Sequence, residues 1–316
     1  MNEIFNKVDV ILVKSPDTNF FYFTQLEGMW EGSYVVVFPD DVKVIAPPLE
    51  EGEAYFYHNK EEMKKILKEI VNAERIGFNG NSISYRDFIF LKKLIGGKWV
   101  DVGKELMEMR AIKRREEIER IKKACRKTFE IMEEIEFNGK KEREVCAEIE
   151  YKVRRKGLKM AFDTIVAFGK NTSSPHHIPG TKKFSFPVIL DMGIKFQNYC
   201  SDITESFVNT KGKRIYEIVD EALHMAIDEI REGVEARNVA KKIEKFLKKN
   251  GYGMRHALGH SIGIDVHDGF PITTNSEFVF RENMVFAIEP AVYTKSLGIR
   301  LERDIVVGKE KSRIIR

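Results

Sequence analysis

Short apolar runs and segments of helical period alternate along the chain. Residues 8–13 and 34–38 are rich in Val and Ile, and residues 42–45 resume after Pro39-Asp40-Asp41, so strands joined by a turn are expected there. Met63, Ile66, Leu67 and Ile70 fall on one face of a helix over residues 61–71, and residues 84–95 repeat the spacing. These elements predict a small α/β domain over residues 1–110. Near Met109 the texture changes: Ile118, Ile121, Cys125, Phe129 and Met132 recur at helical spacing behind a charged face, as one long helix would show. Further helices are expected over residues 142–154, 214–231 and 236–250, the last closed by Gly251, with β-like runs between and after them. The expectation is an α+β second domain over residues 111–316.

The length of 316 residues agrees with two domains. A balance of 53 basic against 49 acidic residues leaves a formal charge of only +4, which disfavours a nucleic-acid partner. Three widely spaced cysteines, Cys125, Cys146 and Cys200, build neither a disulfide framework nor a zinc knuckle and suit a reducing cytoplasm. The first twenty residues lack the pattern of an export signal, and no stretch is apolar enough to span a membrane, so a cytoplasmic protein without membrane contact is expected.

The candidate chemistry gathers after residue 170. In PVILDMGIKFQNYCSDITESF an apolar run ends on Asp191, a turn follows, and a second strand-like run carries Asp202, which reads as a hairpin. A carboxylate directly behind Val188-Ile189-Leu190 is costly to bury without a cation or donors, the plain alternative being a turn-capping Asp. HALGHSIGIDVHDG places His256, His260 and His267 among Gly259, Gly263 and Gly269, glycines that would let the backbone approach a ligand closely. In ENMVFAIEPAVYTKSLGIRLERDIVV two apolar strands deliver Glu289 and Glu302, for the second of which an ion pair with Arg300 or Arg303 is the structural alternative. FDTIVAFGKNTSSPHHIPG runs a strand into a polar loop with adjacent His176 and His177, surface groups or substrate contacts. Four carboxylates and one imidazole suit two hard or borderline divalent ions, which can activate water for hydrolysis.

Together these motifs resemble the pita-bread metallopeptidases, the superfamily of methionine aminopeptidase, prolidase and aminopeptidase P. The order Asp191, Asp202, His260, Glu289, Glu302 is similar to that family's ligand order, as are the eleven residues from Asp191 to Asp202 and the seven from His260 to His267. DTNFFYFTQLEG looks like the creatinase-type N-domain of the prolidase branch. The resemblance implies a curved antiparallel sheet covered by helices and a metal-dependent exopeptidase that cleaves Xaa-Pro bonds through a hydroxide bridging two divalent ions. It implies Asp191 on one metal, His260 on the other, Asp202 and Glu302 shared, Glu289 as a proton-shuttling ligand, and His176 and His267 touching substrate. Manganese or cobalt is expected, zinc and iron being accepted by the same donors. Implied too are a proline-containing peptide as substrate and a homodimer.

Prolidases that resemble this chain carry an Arg shortly after the histidine segment, whereas here Phe270, Pro271 and Ile272 stand in that stretch and no Arg follows until Arg281. This tilts the expectation toward an Xaa-Pro aminopeptidase rather than a strict Xaa-Pro dipeptidase, although another basic residue could hold a dipeptide's carboxylate. A creatinase-like or binding homologue without peptidase activity is the remoter alternative. Three positions depart from the family pattern: Glu205 stands for an Arg, Ala291 for a Gly, and Arg303 for an acid. The first and third are complementary, so a reversed ion pair between Glu205 and Arg303 is expected.

Overall fold

The computed structural model describes residues 2–316, apart from the side chain of Asn2. The chain separates into two compact units, Met1–Arg110 and Ala111–Arg316. Among the described residues no helix is long and apolar enough to cross a membrane.

In the first unit, strands β1 (Val10–Lys14), β2 (Tyr34–Val37), β3 (Val42–Ala46), β4 (Tyr55–Phe56), β5 (Arg75–Phe78) and β6 (Lys98–Asp101) form one mixed sheet in the order β4-β3-β2-β1-β5-β6. It is accompanied by helices α1 (Asn2–Phe5), α2 (Thr18–Thr24), α3 (Lys60–Ile70), α4 (Tyr85–Ile95) and α5 (Gly103–Ala111). The continuous apolar run of β1 follows from burial on both faces: Val10 and Leu12 pack with Met63, Leu67 and Leu91 of α3 and α4, whereas Ile11 and Val13 pack with Phe20 and Leu106 of α2 and α5. Asn59 and Ser84 cap α3 and α4 by accepting from backbone amides in the first turn, which fixes where both helices begin.

The second unit is built from two antiparallel halves, each with its own helix pair. In the first half, β8 (Ile165–Phe168), β9 (Val188–Met192) and β12 (Ile203–Phe207) form a ladder, and β7 (Lys159–Met160), β10 (Ile194–Phe196) and β11 (Tyr199–Cys200) a smaller one. Its core lies against α6 (Arg115–Glu133) and α7 (Glu142–Arg155), where Ala124, Ile131, Val145 and Ile149 meet Val166, Val188, Leu190 and Ile203. In the second half, β13 (Gly259–Ser261), β14 (Pro271–Ile272), β15 (Val285–Ile288), β18 (Arg303–Val306) and β19 (Arg313–Ile314) form a five-stranded sheet, with the hairpin of β16 (Ala291–Tyr293) and β17 (Gly298–Arg300) beside it. Helices α8 (Lys213–Glu229) and α9 (Ala236–Lys249) cover it, placing Val219, Leu223, Val239 and Ile243 on Phe286, Ile288 and Ile305. A bridge between Thr204 and Glu302 joins the two halves, as does the bond from the Cys200 amide to the Gly263 carbonyl at 2.8 Å.

The expected hairpin around Asp191 and Asp202 is interrupted. β9 and β12 do pair, but β10 and β11 form a second small hairpin between them, so Asp202 sits in the turn entering β12 rather than in a strand. Gly193 permits this, since a Cβ there would overlap the Ser201 carbonyl.

Candidate metal centre

Asp191 lies in β9, a strand buried along its whole length, opposite Thr204 and Ile165. It is not a turn cap. Its Oδ2 accepts from Arg300 Nη2 at 2.5 Å, while Oδ1 is buried with no hydrogen-bond partner. A buried carboxylate oxygen left without a donor is costly unless something else meets it. Asp202 is held by its backbone, whose amide donates to Asp304 Oδ2 at 3.0 Å, so its carboxylate is free to face the strands of the second half.

His260 occupies the middle of β13, and its Nε2 stands 3.6 Å from Asp202 Oδ2 and 3.9 Å from Glu289 Oε1. Its Nδ1 lies 3.3 Å from the Ser261 carbonyl, an acceptor that places the ring proton at Nδ1 and leaves the Nε2 lone pair toward the carboxylates. Glu289 follows β15, its amide donating to the Leu258 carbonyl at 2.8 Å. Glu302 sits at the junction of the halves and accepts from Thr204 Oγ1 at 2.6 Å. Neither arginine beside it is its partner: Arg300 turns to Asp191, and Arg303 Nη2 donates to Glu205 Oε1 at 2.5 Å. Arg303 Nη1 also donates to the carbonyls of Glu302 at 2.8 Å and Thr204 at 3.2 Å. The reversed pair is therefore formed, across the junction.

One ligand atom each from Asp202, His260 and Glu302 falls within a 4.8 Å cluster, and all three residues are buried. Electrostatics describes the same crowding. Burial, then repulsion from Glu302 and Asp191, raises the Asp202 carboxyl well above its usual range, and burial with repulsion from Glu289 and Asp191 does the same to Glu302. Burial pushes Glu289 up to about 8 despite the opposing pull of Arg300, and burial pushes His260 down to about 4, helped by the neighbouring His267. So many carboxylates cannot all be ionised together without a counter-charge. The orphaned Asp191 oxygen, the oxygen and nitrogen donors, and this mutual repulsion fit a divalent cation, and Asp191, Asp202, His260, Glu289 and Glu302 are the residues that could hold one.

The histidines divide. His267 is exposed and its ring centroid lies 4.2 Å from that of His260, at the edge of the cluster. His176 is exposed in its loop beside His256, close enough that its charge would oppose protonation of that ring. His177 turns away to Glu142, with Nε2 2.9 Å from Oε2. Two of the three glycines near His260 serve the protein rather than a ligand: a Cβ on Gly259 would overlap the Ala287 carbonyl, and one on Gly263 the Asp268 carboxylate.

Three residues around the cluster escaped the sequence reading of roles. His256 places Nδ1 3.5 Å from Glu289 Oε2 and Nε2 3.2 Å from Tyr293 Oη, and Tyr293 Oη accepts from Arg300 Nη1 at 2.6 Å. A continuous polar path thus runs from Glu289 to Asp191 around the cluster. His256 stands out in the sequence beside His260 and His267 but with no role of its own, whereas Tyr293 and Arg300 depend on the β16–β17 hairpin folding back.

A two-domain chain whose second domain brings carboxylates and an imidazole from both halves of a helix-covered antiparallel sheet to one buried cluster is a pita-bread metallo-exopeptidase. The chain belongs to metallopeptidase family M24, which matches residues 119–309, and residues 5–112 match the creatinase/prolidase N-terminal domain. It is 33% identical to an Xaa-Pro dipeptidase of Pyrococcus furiosus, over 96% of this chain and 91% of that protein. Among solved structures it resembles the prolidase from Pyrococcus furiosus, with a TM-score of 0.88 and 30% identity over 100% of this chain and 98% of that one. It also resembles an X-Pro aminopeptidase from Thermotoga maritima, with a TM-score of 0.88 and 28% identity over 98% and 95% of the two chains.

Proposed function

We propose that this protein hydrolyses the bond between a residue and a following proline at the N-terminus of a peptide, using two divalent metal ions. The observation that carries the reading is the buried convergence of Asp202, His260 and Glu302 with Glu289 beside them. Asp191 would hold one ion and His260 the other, with Asp202, Glu302 and Glu289 completing the set; manganese or cobalt suits these donors, and zinc or iron is accepted by them. When bound, the ions supply Lewis-acid polarisation of the scissile carbonyl and a water acidic enough to attack near neutral pH. Glu289, less buried than Asp202 and Glu302 and with Oε2 3.5 Å from His256 Nδ1, would take a proton and return it to the departing proline nitrogen. His176 and His267, both exposed, would donate hydrogen bonds to the substrate carbonyl and to the oxyanion it becomes.

The exopeptidase end of the substrate favours peptides longer than two residues. Pro271 is the cross-strand partner of His260, and partners in an antiparallel pair share a face, so an exposed and uncharged side chain flanks the cluster where a cation could otherwise hold a free carboxylate. A second reading, strict dipeptide hydrolysis, is supported by Arg255, an exposed guanidinium 6.0 Å over the Tyr293 ring with Nη1 3.4 Å from the Ser173 carbonyl. It is supported as well by the dipeptidase relatives. A panel of Xaa-Pro and Xaa-Pro-Yaa peptides, assayed with each metal and with metal content measured in parallel, separates the readings. Release of the first residue from both substrate lengths is expected; turnover of dipeptides alone selects the second reading, and neither metal binding nor cleavage overturns both. A homodimer is part of the proposal, by the resemblance of the N-terminal domain to the prolidase branch, and light scattering at the elution peak tests it.

A further inference from the structure

Glu142 is the first residue of α7, and it is fully buried. Its Oε1 accepts from the Phe168 amide at 2.8 Å and from Asn171 Nδ2 at 2.8 Å. Its Oε2 accepts from the Gly180 amide at 3.0 Å and stands 2.9 Å from His177 Nε2. A carboxylate offers about four acceptor sites, and here each has a donor. Burial would raise this carboxyl, but the donors, His177 foremost, outweigh it and hold the group below the usual range.

Those donors come from the end of β8, from the 3-10 turn at Gly169–Ser173, and from two points beyond it, so one side chain gathers residues 168–180. Backbone bonds from Glu142 to Lys182 and from Arg143 to Gly180, each 3.1 Å, close the far end of the same loop. His176 rides in the middle. On one side of it, the Pro175 carbonyl accepts from Arg300 Nη1 at 3.2 Å, the arginine that also holds Asp191. On the other side, the His177 ring is drawn into α7. The adjacent histidines therefore differ: one is an anchor and the other is left exposed.

We propose that Glu142 is the positioning residue for His176, fixing the loop through His177, Asn171 and two backbone amides so that the exposed imidazole is presented to substrate. The role assigned to His176 rests on the function proposed above. Glu142→Gln tests it well, because whichever way the amide turns, its NH2 meets a backbone amide donor, that of Phe168 or that of Gly180, in place of an acceptor.

The expected result is a fall in kcat/KM of roughly 10- to 100-fold, the cost of misplacing a substrate-contacting group by about an ångström, with bound metal per chain unchanged. In a His176→Ala background the same substitution should add less than twofold, since two residues acting as one unit are not additive. His177→Gln, which keeps a donor toward the carboxylate, should retain most activity, and His177→Leu should lose it as E142Q does. A full-size loss from E142Q in the His176→Ala enzyme would overturn the proposal, as would E142Q at wild-type activity. Should E142Q fail to fold, the two His177 variants carry the test alone, and equal activity in both overturns it. Nitrogen-15 histidine spectra of the metal-free protein give a readout independent of the peptide assay. The His176 ring signals should shift or broaden in E142Q although that ring does not touch Glu142; unchanged signals refute the positioning role even if Xaa-Pro hydrolysis is established, and shifted signals uphold it even if the wild-type enzyme cleaves none of the peptides.

Discussion

Replacing Glu205 with arginine puts two guanidinium groups where Arg303 and Glu205 now meet at 2.5 Å, with side chains only 18% and 23% exposed. Two unit charges about 4 Å apart interact by roughly 4 kcal/mol at an effective dielectric near 20, and partial access of water at this site brings that to about 2 kcal/mol. E205R therefore loses an attraction of about 2 kcal/mol and gains a repulsion of the same order, for a total of about 3–4 kcal/mol. For a protein of this size that lowers Tm by roughly 6–15 °C. The double variant E205R/R303E restores an opposite pair with its polarity turned round. It should recover most of the loss, short by about 1–2 kcal/mol for the bonds that Arg303 Nη1 makes to the Glu302 and Thr204 carbonyls. Calorimetry and denaturant titration of the wild type, both single variants and the double, all stripped of metal, give the interaction energy directly. An interaction below about 0.5 kcal/mol would refute the argument. Titration calorimetry with manganese on the same four proteins should show weaker binding for R303E than for the wild type, because the Glu302 backbone loses its tether.

Chelation should lower Tm, and manganese at a hundred times its dissociation constant should restore about 2.7 kcal/mol of stability; a Tm indifferent to both would contradict the cluster's need for a counter-charge. D202N and E302Q should each reduce bound metal, measured by mass spectrometry, and activity by at least about a thousandfold. Lys113 Nζ lies 3.2 Å from Asp268 Oδ2, and both side chains are only 1% exposed, so K113M removes the cation beside a buried carboxylate and should cost about 3–5 kcal/mol in urea unfolding. Because Asp268 adjoins His267, the peptide assay should register the same change; wild-type stability of K113M would remove the pair from the account. R255A should raise KM for Xaa-Pro dipeptides selectively if Arg255 holds their carboxylate, and equal effects on dipeptides and tripeptides would exclude that.

Residues whose role follows from local spacing were legible in the sequence. Val239, Ala240, Ile243 and Leu247 mark the buried face of α9 by period alone, and the strand reading of residues 34–38 and 42–45 corresponds to β2 and β3. Asp191 and Glu289 announced themselves by following apolar runs that burial had to explain. Helix α2 was not legible, because Phe20, Phe21, Tyr22 and Phe23 crowd four aromatics together and hide any period. The partners of the charged groups were hidden for a different reason. Arg300 finds Asp191 across 109 positions, and His177 finds Glu142 across 35, contacts that exist only once the second domain has closed. Spacing within a segment cannot distinguish His176 from His177; the buried carboxylate that claims one of them can.

The bridge between Thr204 and Glu302 separates two pieces that bury most of their apolar surface without each other. The large clusters under α6 and α7 and under α8 and α9 stay within their own halves, while Ala167, Ile189, Ala291 and Tyr293 make a small apolar cluster that crosses. Charged and polar groups also meet at that seam, in the pairs Arg300–Asp191 and Arg303–Glu205 and in the bond from Thr204 to Glu302. A folding chain can therefore complete both hydrophobic interiors and still have its halves misdocked by a residue or two. Such a mistake scatters Asp202 and His260, which come from opposite sides, so only correctly docked halves can capture the ion. A cation held by these residues would therefore act as a check on assembly, and refolding yield is expected to depend on metal at the last step rather than the first.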